Sequence, residues 1–176
     1  MIIWLNGPFG GGKTTTANEL VGLLPGAHFF DPEMVGYFLR HVLPDAQGDF
    51  QDLPAWRALA AETALQVHAH YGGPLVVAMT VLCKDYHDEI FTAIRARGVG
   101  VRHVVLDVEH DEHVRRIESD EIEAGAKEWR LRHIPRYREA LSWLRHAGEV
   151  VDTTHEPAAA IAARLAKGLI PTISTS

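Results

Sequence analysis

The sequence lacks most of the features that would place a protein outside the cell or in a membrane. Its 176 residues contain one cysteine, Cys83, so no disulfide bond can form within the chain. The longest apolar segment, Pro74 to Met79, is far too short to cross a bilayer. No basic stretch or cleavage site near residue 1 indicates a signal peptide. We therefore expect a protein of the reducing cytoplasm, without membrane attachment.

The sequence also lacks a long basic block. Acidic residues outnumber basic ones by 23 to 17, which gives a net charge of -6 with neutral histidines. Nucleic acid is therefore not expected as a partner, because its binding surfaces are basic. Apolar residues make up 47% of the chain, enough for one core. These features predict a single domain over residues 1–176 with a frayed tail at 172–176, whereas they leave the oligomeric state open.

The most informative segment is Gly7-Pro8-Phe9-Gly10-Gly11-Gly12-Lys13-Thr14. It matches the phosphate-binding loop (Walker A) pattern G-x-x-x-x-G-K-[ST] and lies between an apolar strand and a helix-like segment. Glycines let successive backbone N–H groups turn towards phosphate oxygens, and the helix start adds further free donors. The alternative is a plain glycine-rich turn. The pattern predicts a nucleoside triphosphate site, with ATP or GTP left open, formed by Gly7, Gly10, Gly11, Gly12, Lys13, Thr14 and Thr15.

Two side chains of this loop carry specific chemistry. Lys13 brings a full positive charge to the β- and γ-phosphates of the nucleotide. The Thr14 hydroxyl is of the type that ligates Mg²⁺ in such loops. We therefore expect Mg²⁺ as the accompanying ion.

Strands and helices alternate along the rest of the chain. The predicted strands are 2–6, 27–30, 75–79, 101–108 and 149–152. The predicted helices are 13–24, 33–42, 54–71, 85–97, 111–119, 127–146 and 157–169, and Pro135 is expected to break or kink the helix 127–146. Five apolar strands with helical crossovers predict a three-layer α/β/α sandwich around a parallel sheet, the fold class of P-loop NTPases.

Ligands of such sheets bind at the carboxyl ends of the strands. Asp31 follows the second strand, where a carboxylate can take the proton of an acceptor hydroxyl or hold Mg²⁺ through water. The alternative for Asp31 is a helix N-cap, since Pro32 follows it. Asp107 and Thr80 end other strands; each is a candidate for the metal shell or an ordinary strand terminus.

Phosphoryl transfer also needs cations that close over the transferring group. Six arginines lie in a lid-like segment, residues 115–138, which surrounds a polar loop containing Gly125. Arg116 and Arg130 are our candidates for contacting phosphate. The alternative is a solvated basic face, the usual meaning of a charge run.

An acceptor pocket is expected between the second and third strands. Phe50 and Trp56 are candidates for stacking on a base or sugar, and Gln51, Arg57 and Thr80 for fixing polar groups. For Trp56, burial in the core is an equally good interpretation.

The sequence resembles the tunicamycin-resistance proteins, small members of the P-loop kinase superfamily, up to about residue 155. The matching segments are 2–10, 31–33, 78–81 and the more specific block Asp49-Phe50-Gln51 with Pro54-x-Trp56-Arg57. The resemblance implies the sheet order 2-3-1-4-5, ATP binding, Asp31 as base or substrate anchor, and resistance to a nucleoside antibiotic bearing uracil, sugars and an acyl chain. It also implies a second arginine shortly after Arg116, where Glu118, Ser119 and Asp120 stand instead.

The leading hypothesis is a Mg²⁺- and ATP-dependent phosphotransferase that modifies a hydroxyl of tunicamycin or a similar nucleoside or sugar compound. A second hypothesis is an ATP-binding protein that sequesters the drug without transferring phosphate. A third is a metabolic kinase for a nucleoside, shikimate or a sugar acid.

Overall fold

The computed structural model describes residues 1–169, so the expected fraying of residues 172–176 lies outside the described part. The strands are β1 (Ile2–Asn6), β2 (His28–Phe30), β3 (Leu75–Ala78), β4 (Val101–Asp107) and β5 (Glu149–Asp152). The helices are α1 (Lys13–Leu23), α2 (Glu33–Val42), α3 (Pro54–Tyr71), α4 (Lys84–Ala96), α5 (His110–Ser119), α6 (Lys127–Ala147) and α7 (Ala158–Lys167). Short 3₁₀ turns span Phe50–Asp52 and Ala124–Ala126.

The five strands form one parallel sheet in the order β2-β3-β1-β4-β5. The predicted parallel sheet and its strand order are confirmed. Strand β1 lies at the centre, where Leu5 pairs with Ala78 of β3 and with Val104 of β4. The carboxyl ends of β1, β3 and β4 therefore meet at one edge of the sheet, where the glycine-rich loop begins.

Alternate residues of β1 build the cores on the two faces of the sheet, as the two-residue strand period requires. Ile2 and Trp4 pack with residues of α2, α3 and α4 on one face. Ile3 and Leu5 pack with residues of α1 and α7 on the other. All of β1 is buried, as expected for a central strand covered by helices on both faces.

Helix α6 continues through Pro135, so of the predicted break or kink at this residue the break is wrong, and the kink stays a prediction. A proline inside a helix costs about 3 kcal/mol. That cost is offset because Ile134, Tyr137 and Leu144 are buried on the inner face of the helix, each worth about 1.5–3 kcal/mol. The Tyr137 hydroxyl also donates to Asp107 at 2.8 Å, which ties the helix to the end of β4.

Among residues 1–169, none of the helices combines the length and the apolar composition needed to cross a membrane.

Candidate functional site

The glycine-rich loop adopts backbone conformations that only glycine accepts readily. Gly7, Gly10 and Gly12 have φ angles of 145°, 76° and 83°. A Cβ atom at Gly7 would lie 2.5 Å from the carbonyl oxygen of Leu106, and one at Gly10 would lie 2.8 Å from Ile117. The glycines thus let the loop fit closely between the end of β4 and helix α5.

The loop presents a row of free amide groups at the start of α1. Within residues 1–169, the N–H groups of Gly12, Lys13, Thr14 and Thr15 have no hydrogen-bond acceptor. The first amides of a helix carry a partial positive charge and point along its axis. This donor set fits the oxygens of a polyphosphate.

Two polar side chains fix the entry to the loop. The Asn6 Oδ1 atom accepts from the N–H groups of Gly7 at 2.8 Å and Val81 at 2.9 Å. The Thr80 hydroxyl donates to the carbonyl of Gly7 at 2.9 Å, and Gln51 Nε2 donates to the carbonyl of Thr80 at 2.8 Å. The position of the loop is thereby set by the segment that follows β3.

Helix α5 and helix α6 fix the middle of the loop. The Nε2–H group of His113 donates to the carbonyl of Phe9 at 2.7 Å, and burial lowers the pKa of His113, which favours the neutral ring that this bond uses. The Phe9 ring packs edge-on against Trp129, with centroids 4.5 Å apart, and near His133. A displacement of α6 would therefore move Phe9 and, with it, the middle of the loop.

Lys13 points back onto its own loop. Its Nζ atom donates to the carbonyl of Pro8 at 2.7 Å. Burial lowers the pKa of Lys13 to about 8, although the carboxylates of Glu33, Glu123 and Asp31 oppose that shift. A half-buried ammonium next to free amide donors is the electrostatic environment that binds phosphate anions.

Two carboxylates face this lysine across a cavity. Asp31 Oδ1 accepts from the N–H group of Glu33 at 2.9 Å, so Asp31 caps the start of α2, while Oδ2 has no partner in the described part of the chain. Burial and, next, the neighbouring charge of Asp31 raise the pKa of Glu33. Asp31 thus caps α2 with one carboxylate oxygen, and its other oxygen is available to a ligand in the cavity.

The loop separates two cavities. The larger, of about 900 Å³, is lined by Lys13, Thr14, Asp31, Glu33, Gln51 and Thr80 among others. The smaller, of about 540 Å³, lies between the loop, α5 and the segment joining β5 to α7. Gly12, Thr15 and Arg116 line both cavities, so an elongated ligand lying on the loop can reach from one into the other.

The two arginines selected from the sequence are held by other groups. Arg116 donates to Glu112 at 2.7 Å and to the carbonyl of Thr153 at 2.5 Å, which joins α5 to the segment after β5. Arg130 is only 9% exposed and pairs with Asp120 at 2.7 Å and with Glu123. A phosphate contact by Arg130 requires an exchange of partners.

The structure corrects part of the predicted acceptor pocket. Phe50 and Gln51 line the larger cavity, but Trp56 and Arg57 do not. Trp56 is fully buried on the inner face of α3, where its indole N–H donates to the carbonyl of Pro32 at 3.1 Å. Arg57 donates to the carbonyl of Gln51 at 2.7 Å, so it supports the cavity wall from behind.

Asp107, the alternative metal candidate, has a structural role. Its Oδ1 atom accepts from the Tyr137 hydroxyl at 2.8 Å and from the N–H group of Val108 at 2.9 Å. These bonds, and one from Arg138 at 3.3 Å, all use Oδ1, whereas Oδ2 accepts no hydrogen bond from residues 1–169.

Comparison with known proteins agrees with this geometry. No protein-family model matches the chain, and no curated protein matches it in sequence. Among solved structures, a tunicamycin resistance protein from Deinococcus radiodurans has 29% identity and a TM-score of 0.72 over 96% of this chain and 94% of its own. A shikimate kinase from Bacteroides thetaiotaomicron has 17% identity and a TM-score of 0.63, covering 96% and 98%. The chain has the P-loop kinase fold.

A third kinase structure bears on nucleotide binding. The APS kinase of Mycobacterium tuberculosis, solved in complex with AMPPNP and APS, has 16% identity and a TM-score of 0.58 over 96% of this chain and 96% of its own. At such low identities the shikimate kinase and the APS kinase show only that this chain shares their fold. The resemblance to the tunicamycin-resistance proteins, which the sequence predicted, is confirmed along nearly the whole chain.

Three residues of the site were not predicted from the sequence: Asn6, Glu33 and His113. Glu33 could have been predicted from the sequence. It lies two residues after Asp31 in the first turn of a helix, and therefore close to the carboxyl end of the strand that precedes this helix. Asn6 and His113 act on groups 75 and 104 residues away, and neither contact has a local sequence signal.

Proposed function

We propose that the protein is a Mg²⁺- and ATP-dependent phosphotransferase that acts on a hydroxyl of a small, sugar-containing acceptor, with tunicamycin as the specific candidate. The observation that carries this proposal is the arrangement within one cavity of Lys13, the free amides of the loop, and the facing carboxylates of Asp31 and Glu33. Such an arrangement has a place for a phosphate donor on one side and for a hydroxyl on the other.

The donor site in this proposal is the loop together with the smaller cavity. The amides of residues 12–15 and Lys13 bind the phosphates, and the nucleoside enters the space of about 540 Å³ beside α5. The Thr14 hydroxyl and the free oxygen of Asp31, acting through water, are hard oxygen donors that suit Mg²⁺. The ion, when bound, supplies positive charge to the phosphate oxygens.

The acceptor side supplies the base. Asp31 or Glu33 takes the proton from the acceptor hydroxyl, and the acceptor oxygen forms a bond to the γ-phosphorus. The bond between that phosphorus and the bridging oxygen breaks, and the nucleoside diphosphate leaves with the electron pair. The raised pKa of Glu33 makes it a stronger base than an ordinary glutamate.

The cation of the lid segment, residues 115–138, is Arg130 in this proposal. Its charge contributes to lowering the pKa of Lys13, so it acts at the phosphate end of the cavity. Contact with a transferring phosphoryl group would replace its ion pairs with Asp120 and Glu123. Arg116, which lines both cavities, is proposed to position the nucleotide through its bonds to Thr153.

The test is incubation of the purified protein with Mg²⁺, ATP and tunicamycin, followed by mass spectrometry of the drug. We expect a product heavier by one phosphoryl group, formed by the wild type and not by Lys13→Ala. Binding of tunicamycin that depends on ATP but gives no such product would support sequestration instead. A phosphorylated product from shikimate, gluconate or a nucleoside, with none from tunicamycin, would assign a metabolic kinase.

A further inference from the structure

The side-chain amide of Asn6, the last residue of β1, uses all of its hydrogen-bonding positions inside the protein. Its Oδ1 atom accepts from the N–H groups of Gly7 and Val81. Its Nδ2 group donates to the carbonyl of Val81 at 2.9 Å and to Nε2 of His103 at 3.3 Å. An amide has two acceptor positions on oxygen and two donors on nitrogen, so this set is complete. Because Asn6 is fully buried, the loss of any of these bonds would leave a buried polar group without a partner.

His103, on β4, is the ring that accepts from Asn6. The two backbone N–H groups on Oδ1 fix which end of the Asn6 amide is the nitrogen. Nε2 of His103 must therefore be the acceptor, and it carries no hydrogen. The proton of the neutral ring is then on Nδ1, which lies 3.1 Å from the carbonyl oxygen of Ala147. Since a carbonyl can only accept, both contacts of the ring require the same tautomer.

The surroundings of His103 keep its ring neutral. The residue is 5% exposed, and burial lowers its pKa to about 4. The bond to Ala147 opposes this shift, whereas His87 and Arg95 of α4 add to it. A protonated ring would turn Nε2 into a donor that faces the donor nitrogen of Asn6. At neutral pH the acceptor for Asn6 is therefore retained.

The end of helix α6 is the other anchor of this ring. Ala147 is the last residue of α6, and a Cβ atom at the following Gly148 would lie 2.7 Å from Nδ1 of His103. Glycine at this position thus lets the end of the helix approach the ring. The hydrogen bonds run from there through His103 and Asn6 to Gly7, where the glycine-rich loop begins. Neither His103 nor Asn6 lines either of the two cavities beside the loop.

We propose that His103 is a positioning residue of the nucleotide site, which acts through Asn6 to hold the first residue of the glycine-rich loop in its phosphate-binding conformation. This inference rests on the nucleotide binding in the proposed function, but not on phosphate transfer. Without the acceptor on His103, Asn6 loses one of the two bonds that keep its oxygen turned towards Gly7 and Val81. A looser anchor lowers the fraction of molecules with a competent loop, and the apparent affinity for nucleotide falls with that fraction.

Two substitutions at His103 separate positioning from packing. His103→Phe keeps a ring against Phe91, where the centroids lie 5.0 Å apart, but removes the acceptor. His103→Gln removes the ring but carries an amide oxygen that can accept from Asn6. Affinity for a non-hydrolysable ATP analogue with Mg²⁺ is measured by calorimetry at neutral pH. We expect it to fall about threefold to tenfold in His103→Phe, the effect of one lost buried hydrogen bond, and less than about twofold in His103→Gln.

Stability should rank the two variants in the opposite order. His103→Gln loses the ring packing against Phe91, so urea denaturation should show it to be the less stable of the two. The matched control is His87→Phe. His87 is 4% exposed and its ring centroid lies 4.8 Å from that of His103, but it bonds to Asp88 instead of Asn6. Its substitution should leave nucleotide affinity unchanged.

NMR of the histidine ring nitrogens in the wild type is a further measurement, which does not depend on the folding of any variant. We expect His103 to carry its proton on Nδ1 alone at neutral pH. A proton on Nε2 would overturn the inference, because that atom could not accept from Asn6.

The calorimetry can also overturn the inference. Unchanged affinity in His103→Phe would do so, and so would an equal loss in His103→Gln or in His87→Phe, since the effect would then follow packing. Absence of nucleotide binding by the wild type would remove the proposed function together with the positioning role. Normal binding by the wild type with any of the other results would remove only the role of His103.

Discussion

The ammonium group of Lys13 donates a 2.7 Å hydrogen bond to the carbonyl of Pro8, five residues earlier in the same loop. The positive charge proposed to bind phosphate is thus held by the loop itself. Burial lowers the pKa of Lys13 to about 8, and a bound polyphosphate would raise it again because the anion favours the charged form. Nucleotide binding and protonation of Lys13 should therefore be coupled.

We predict that nucleotide binding takes up about half a proton per site at pH 8, and that affinity falls up to about tenfold per pH unit above that pH. The sign follows from the lowered pKa of Lys13 in the free protein, because at pH 8 the Lys13 side chain is neutral in half of the molecules. Calorimetry in two buffers of different ionisation enthalpy measures the uptake. Lys13→Arg should bind with no uptake, since arginine stays charged. Equal apparent enthalpies in both buffers would contradict the coupling.

A second prediction separates the two carboxylates. Asp31→Asn keeps the oxygen that accepts from the Glu33 N–H group, so α2 should stay intact and nucleotide should still bind, while kcat falls by about 10²-fold or more. Removing the charge of Asp31 should also lower the pKa of Glu33. In any residual activity, the acidic limb of the pH–rate profile should then move to lower pH.

Glu33→Gln is the companion variant for this experiment. If Asp31 is the base, Glu33→Gln should retain more turnover than Asp31→Asn. Full turnover in Asp31→Asn would remove Asp31 as the base and leave Glu33 in that role.

A third prediction concerns two glycines that lie inside helices. A Cβ atom at Gly36 would lie 2.6 Å from the ring of Phe50, which is itself packed against Trp56 with centroids 5.3 Å apart. Gly36→Ala should therefore destabilise the protein by about 1–3 kcal/mol through overpacking. At Gly22 of α1 a Cβ atom meets nothing within 4 Å, so Gly22→Ala should stabilise by about 0.5–1 kcal/mol.

Urea denaturation of the two alanine variants measures both effects on the same scale. Similar free energies of unfolding for Gly36→Ala and Gly22→Ala would show that Phe50 moves aside freely. Because Phe50 lines the larger cavity, Gly36→Ala should also weaken acceptor binding, whereas Gly22→Ala should not.

The parts of the fold that the sequence predicted are those with local signals. The glycine-rich loop and the apolar strand β1 are recognised within about ten residues, and the alternation of strands and helices leads to the parallel sheet. The continuity of α6 through Pro135 had no such signal. It depends on the burial of Tyr137 and on its bond to Asp107, which lies 30 residues earlier.

The site was predicted less completely for a similar reason. The position of this segment between the second and third strands predicted that Phe50, Gln51, Trp56 and Arg57 line an acceptor pocket, and of these Phe50 and Gln51 line the larger cavity. Which of them faces the cavity is decided by the turn at Phe50–Asp52 and by the packing of the inner face of α3. A tryptophan with an apolar ring and one donor suits either position, so sequence alone left the question open.

The last prediction concerns the acidic group that holds Arg130. Glu123 lines the larger cavity, pairs with Arg130 and raises the pKa of Lys13, so its negative charge acts on the phosphate site. Glu123→Gln should strengthen nucleotide binding by about threefold to tenfold, because it removes a repulsive charge and frees Arg130. It should also lower the pKa of Lys13 in the free protein, which moves the onset of proton uptake to lower pH.

The control for Glu123→Gln is Glu121→Gln, two residues earlier on the same loop, exposed and not part of the cavity lining. Both variants change the net charge equally, so a general effect of charge would strengthen binding in both. A local effect appears in Glu123→Gln alone and shrinks at high salt as screening increases. If Glu123→Gln weakens nucleotide binding instead, the carboxylate positions Arg130 for the phosphates, and its pairing with that arginine is part of the binding-competent site.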